Sequence, residues 1–244
     1  FGSLLLKTSF PLKKVNEYSQ NYLKPIMAIR YSPNNTKNIS DKDVRLDYNN
    51  IFSLNRIGTN EIVEGGKSVS LGLEYEKRNL LDKKIIGFNI ANSISNKRNH
   101  NLPTKSKLNE TRSDFVGSLF YNPNDILNFD YNFSYDKNLD GSNYDSVSAS
   151  INVNNFVTNF NFISEDGEIG NNEIITNTTT LKLNNENNLK FKASKDLKND
   201  FTEYYNLIYS YETDCLIASA EFNKKFYRDG SLVPDKSLLF TIRF

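Results

Sequence analysis

Residues 126–136 read ILNFDYNFSYD. In an extended chain Leu127, Phe129, Tyr131, Phe133 and Tyr135 share one face, and Asn128, Asp130, Asn132 and Ser134 the other, because side chains alternate across a strand with period 2. The same alternation recurs along the chain. Val69, Leu71, Leu73 and Tyr75 oppose Ser68, Ser70, Gly72 and Glu74; Val147, Ala149, Ile151 and Val153 oppose Ser146, Ser148, Ser150 and Asn152. Leu216, Ala218, Ala220 and Phe222 line one side of DCLIASAEF, and Tyr205, Leu207, Tyr209 and Tyr211 one side of YYNLIYSYE. The terminal SLLFTIRF places Leu238, Phe240, Ile242 and Phe244 together. No stretch sustains the i, i+3, i+4, i+7 pattern of a helix, so the chain reads as all-β.

Thirteen strands are expected, near 3–10, 21–31, 67–76, 83–93, 114–121, 126–136, 143–153, 155–164, 173–183, 188–197, 201–211, 215–226 and 236–244. A strand needs about 9–11 tilted residues to cross a bilayer, and these segments fit that length. Pro25 falls inside one of them and costs a ladder hydrogen bond, which predicts a bulge or a shorter strand there. YNPND, NVNNF, LNNENN and YETD read as tight turns, whereas 33–66, 94–113, 137–142, 165–172 and 227–235 are longer links. Short and long connections take turns almost without exception, as in outer-membrane barrels with short periplasmic turns and longer outside loops. That parity puts the C-terminus and the short turns on the periplasmic side.

Composition removes several classes. The net charge of +1 over 244 residues gives no footprint for nucleic acid. One cysteine excludes an internal disulfide framework, and the single histidine, His100, sits in a polar KRNHN segment that reads as a loop. No metal site, cofactor or catalytic residue is expected from this inventory. No run approaches the roughly 20 apolar residues of a membrane helix, which leaves strands as the only spanning element. The chain begins with Phe and shows no leader pattern, so a fragment of a longer protein is expected.

Alternation also describes a water-exposed sheet packed on a core. The aromatic enrichment of the apolar face, and the charges Asp130, Lys190, Lys192, Glu203 and Glu221 on the polar one, favour a membrane barrel with a wet interior. The reading is therefore an antiparallel up-and-down transmembrane β-barrel, partial, with 1–244 forming the C-terminal part of a larger barrel domain. A porin-like channel or nutrient receptor, and a soluble Asn-rich β-adhesin, remain the alternatives.

Three stretches carry a resemblance. The ending SLLFTIRF resembles the C-terminal signature of outer-membrane barrels that the barrel-assembly machinery reads. The segment NIFSLNRIGTNEIVEGGKSVSLGLEYE resembles an extracellular segment of the lipopolysaccharide-assembly protein D family, through Asn50, Ile51, Phe52, Arg56, Ile57, Glu64, Gly65 and Gly66. Thr59, Glu61 and Ile62 depart from that family's pattern, and RYSPNN, with Ser32 and Pro33, resembles its entry into the loop. Cys215 matches a cysteine at the start of the family's penultimate strand.

The resemblance implies a non-enzymatic translocon of the cell outer membrane that inserts lipopolysaccharide into the outer leaflet through a polar lumen and a lateral gate. It makes the strand with Leu238, Phe240, Ile242 and Phe244 one lip of the gate, and the link 33–66 a folded cap over the lumen. It gives Cys215 a disulfide partner in a periplasmic domain absent here. It further implies a plug lipoprotein (LptE-like) and a periplasmic bridge protein (LptA-like) as partners.

Overall fold

The computed structural model describes residues 2–33, 35–57, 64–168, 170–226 and 235–244. Among them the chain forms fourteen β-strands: β1 (Leu4–Ser9), β2 (Leu12–Val15), β3 (Gln20–Ser32), β4 (Gly66–Arg78), β5 (Lys84–Ser95), β6 (Phe115–Tyr121), β7 (Leu127–Tyr135), β8 (Ser142–Val153), β9 (Phe156–Asp166), β10 (Asn171–Lys182), β11 (Asn187–Asp196), β12 (Phe201–Glu212), β13 (Ile217–Lys225) and β14 (Asp235–Arg243). They belong to one up-and-down sheet in the order β1-β3-β4-β5-β6-β7-β8-β9-β10-β11-β12-β13-β14, with β2 also on β3. All thirteen expected strands are present.

The extra element, β2, has a covalent cause. Leu4 faces Tyr31 and Ser9 faces Ile26 in β1–β3, and Leu12 faces Leu23 in β2–β3, so β1 and β2 hold one register on either side of Phe10–Pro11. Phe10 N donates to Pro25 O at 3.0 Å. Pro25 has no N–H to return, and Pro11 has none either, so the ladder lapses at that step. The expected bulge does not occur. Pairing of β3 with β4 runs unshifted through Pro25↔Leu73, because the missing donor lies on the β1–β2 side.

Three of the short turns close on asparagine side chains. Asn124 Oδ1 accepts the Ile126 and Leu127 amides at 3.0 Å, Asn184 Oδ1 accepts those of Glu186 and Asn187 at 3.0 and 2.8 Å, and Asn79 Oδ1 those of Leu81 and Lys83 at 3.0 and 2.9 Å. These are Asx turns, which give asparagine its place in tight connections. The long links are less uniform than expected. The link expected over 165–172 is shorter, because β9 runs on to Asp166 and β10 starts at Asn171.

Two compact units divide the chain. The first comprises Phe1–Pro123, Asp130–Ser146 and Ser164–Asn171, and holds the buried apolar cluster. Ile39, Leu46, Ile51, Phe52 and Ile57 of the link after β3, with Leu102 and Leu108 of the link after β5, pack on Ile26, Ala28, Ala91 and Val116 of the strands. Each large side chain so removed from water contributes about 1.5–3 kcal/mol. The core is thus built by folded links lying on strands.

The second unit comprises Asn124–Phe129, Val147–Ile163 and Asn172–Phe244. Register aligns Phe191 with Leu207, Leu207 with Phe222, and Phe222 with Leu238; Tyr209, Ala220 and Phe240 form the next row. Directly paired residues share a face. Phe191, Leu207, Tyr209, Phe222, Leu238, Phe240 and Ile242 are all exposed, so one face of β11 to β14 is a continuous apolar surface open to solvent. The other face carries polar pairs: Asn206 donates to Glu221, and Ser194 to Glu203.

Candidate functional site

The densest polar constellation lies where the link after β3 meets the strands of the first unit. On β3 the residues of one face, Ile26, Ala28, Arg30 and Ser32, are buried while Met27, Ile29 and Tyr31 are exposed. Arg30 therefore points to the same side as the apolar core. Its Nη1 donates to Glu64 O at 2.5 Å, and its Nη2 lies 2.7 Å from Glu64 Oε1. Arg56, from the link, donates through Nε to Glu64 Oε2 at 2.9 Å and through Nη2 to Oε1. Both guanidiniums and the carboxylate are at least 95% buried, with exposures of 3%, 2% and 5% for Arg30, Arg56 and Glu64.

Hydrogen bonds continue from this triad into the sheet. Arg56 Nη1 donates to Ser93 Oγ on β5 at 2.6 Å; Ser70 Oγ on β4 donates to Ile51 O at 3.1 Å and lies 3.1 Å from the Ser93 hydroxyl. The next residues of the motif complete the seam. Gly65 N donates to Thr36 Oγ1 at 2.9 Å, and that hydroxyl also accepts from Asn99 Nδ2 at 2.7 Å. Gly66 takes φ 106°, a conformation in which glycine alone is unstrained, as the chain enters β4. The link is fixed at both ends of its described part.

Asn50 and Phe52 shape the middle of the link. Asn50 Nδ2 donates to Arg45 O at 2.9 Å and its Oδ1 accepts from Asp47 N at 3.0 Å, closing a turn. Phe52 then lies on Gly72 of β4, where any Cβ would overlap the ring. Tyr48 meets the Phe52 ring edge-on at 5.7 Å, and its hydroxyl donates to Glu74 Oε1 at 3.0 Å. Burial beside the Glu74 carboxylate pushes the Tyr48 phenol well above its ordinary value. Ile39 N donates to Asn101 O at 2.9 Å, tying the links after β3 and β5 to each other, and both links pair with the end of β9, Arg45 with Glu165 at 2.7 Å and Lys105 with Asp166 at 2.9 Å.

The motif residues Asn50, Phe52, Arg56, Glu64, Gly65 and Gly66 are thus brought to one seam. Thr59, Glu61 and Ile62, where the motif departs, and Pro234 lie outside the described residues. Arg30 was missed by sequence reading; its only signal was a charge on the face of β3 that otherwise carries Ile26 and Ala28.

Cys215 lies elsewhere. The strand expected over 215–226 begins at Ile217, so Cys215 sits in the turn after β12, exposed and as a free thiol. The strand starts late because Thr213 N closes the turn on Leu216 O at 2.8 Å. It shares a shallow recess with Glu186, Arg243 and Phe244, so the turns at 183–186 and 213–216 and the end of β14 lie together. On β14, Leu238, Phe240, Ile242 and Phe244 are exposed, and β13 is the strand's paired neighbour. Among the described residues no group of acidic, histidine or cysteine side chains is placed to hold a metal ion.

Comparison with protein families gives one assignment. The model of the LptD family, described as LPS transport system D, matches residues 4–194. The match spans the triad, the seam and β1 to most of β11. No curated protein matches the chain.

Proposed function

This chain belongs to the LptD family, LPS transport system D, and from that membership we propose that it is part of the outer-membrane wall through which lipopolysaccharide reaches the outer leaflet. The observation that carries the reading is the two-sided sheet: an exposed face of Phe191, Leu207, Phe222 and Phe240 backed by one with Asn206, Glu221, Ser194 and Glu203. Lipopolysaccharide needs both media, since its sugars and phosphates must stay hydrated while its acyl chains stay in hydrocarbon. A wall with one face for each fits that cargo and calls for no bond-making step. The porin-like, nutrient-receptor and adhesin alternatives lose their ground once the family is known.

In this reading residues 1–244 are the C-terminal part of a barrel domain, and the seam around Arg30, Arg56 and Glu64 anchors a cap on the extracellular side. The terminal strand β14 is one lip of a lateral gate, with Leu238, Phe240 and Ile242 towards acyl chains. Their exposure supports that role. Cys215 forms a disulfide to a periplasmic domain, in an oxidising compartment, and its exposure supports this. The plug lipoprotein, the periplasmic bridge protein and the barrel-assembly machinery are its partners. Depletion of the protein in cells tests the proposal. Newly made lipopolysaccharide should stop reaching the cell surface while still being synthesised; undiminished surface delivery would contradict it.

A further inference from the structure

On the exposed side of β3, β4 and β5, at the end of the strands nearest the link, lies a groove of about 550 Å³ walled by Ile29, Tyr31, Val69 and Ile94, with Lys67 and Asn96 at its rim. Register explains the grouping: Ile29 pairs with Val69, Val69 with Ile94, and Tyr31 with Lys67. Arg112 pairs with Ile94 across an isolated bridge, so it rises from the same face. Lys67 Nζ stands 5.5 Å over the Tyr31 ring, and the Arg112 guanidinium 5.0 Å over that of Phe115. Lys67, seated on an aromatic, therefore stands at the rim of an apolar groove, Arg112 rises beside Ile94 on the same face, and among the described residues none that lines the groove bears a carboxylate.

We infer that this groove binds an acyl lipid with a phosphorylated headgroup, the chains along Ile29, Val69 and Ile94 and the phosphate between Lys67 and Arg112. The inference rests on the proposal above that the exposed strand faces of this wall meet hydrocarbon, and adds a defined lipid site on β3 to β5. Charge and shape select the occupant together. A wholly apolar ligand would leave two cations unused, and a free anion would leave the groove empty. Cations near a membrane surface strengthen anionic-lipid binding, and an aromatic at that level anchors the headgroup zone.

Native mass spectrometry of the protein in dodecyl maltoside, titrated with diphosphorylated lipid A or its dephosphorylated form, tests this. The wild type should retain the phosphorylated lipid, with affinity lower by about tenfold for the dephosphorylated lipid and for Lys67→Ala/Arg112→Ala. Lys67→Arg/Arg112→Lys should restore binding. Equal retention of both lipids, an unchanged double variant, or displacement by inorganic phosphate alone would overturn the inference. A nitroxide at position 240 separates the two readings. If it reports hydrocarbon in vesicles while the groove fails, only the lipid site falls; if it reports water, the membrane-facing wall falls with it.

Discussion

Arg30 on β3 and Arg56 on the long link share one carboxylate, that of Glu64, at a place where all three are buried. Each arginine reaches it from a different element, so the carboxylate decides whether the link lies on the sheet. Removing it leaves two guanidiniums facing each other without water. Glu64→Ala should therefore destabilise the first unit by about 3–5 kcal/mol, the range for an orphaned buried charge. The check is the urea midpoint of the refolded protein in detergent; a midpoint unmoved by Glu64→Ala would show that water compensates the pair.

Phe52 and Gly72 form a steric pair, because the ring occupies the volume of a Cβ at position 72. Gly72→Ala should cost about 1–3 kcal/mol by overpacking. Adding Phe52→Leu should recover part of that loss, since the smaller side chain can retreat. Additive losses in the double variant would mean that the contact is not the cause.

Asp114, just before β6, is held above its ordinary value of 3.8 by burial, against hydrogen bonds from Asn143 and Ser134. Because its folded pKa lies above the unfolded one, ionisation costs stability at neutral pH, and that cost fades as pH falls through the folded value. Wild type should therefore gain stability relative to Asp114→Asn as pH is lowered from 7 towards about 4. A difference between the two proteins that stays constant over this window would rule the carboxyl out.

Cys215 is exposed in its turn, on the side shared by Phe244. A membrane-impermeant maleimide should label it from the periplasmic side, after reduction, and not from the cell exterior. A non-reducing gel should shift on reduction if its disulfide partner lies in another domain. Labelling from outside would reverse the sidedness assigned to every connection.

The strands were legible because period-2 alternation needs no tertiary knowledge. Leu127 to Tyr135 and Leu238 to Phe244 show it in five and four apolar positions respectively. The break at Phe10–Pro11 was not, since it depends on Pro25 being opposite, a relation only register reveals. The seam was half legible. Arg56 and Glu64 stood out within a motif, but Arg30 lies 34 residues from Glu64 in sequence, and nothing local marks an arginine on a strand as the partner of a distant carboxylate. Gly72 likewise read as one more small residue on a polar face until Phe52 was found upon it.

A wall with a wet cargo face and a hydrocarbon face can be probed with a photocrosslinking amino acid placed at neighbouring positions of β12, Asn206 and Leu207, in living cells. Position 206, on the Asn223 and Glu221 side of the sheet, should capture lipopolysaccharide in transit, and position 207 phospholipid. Lipopolysaccharide captured at neither position, or equally at both, would contradict it.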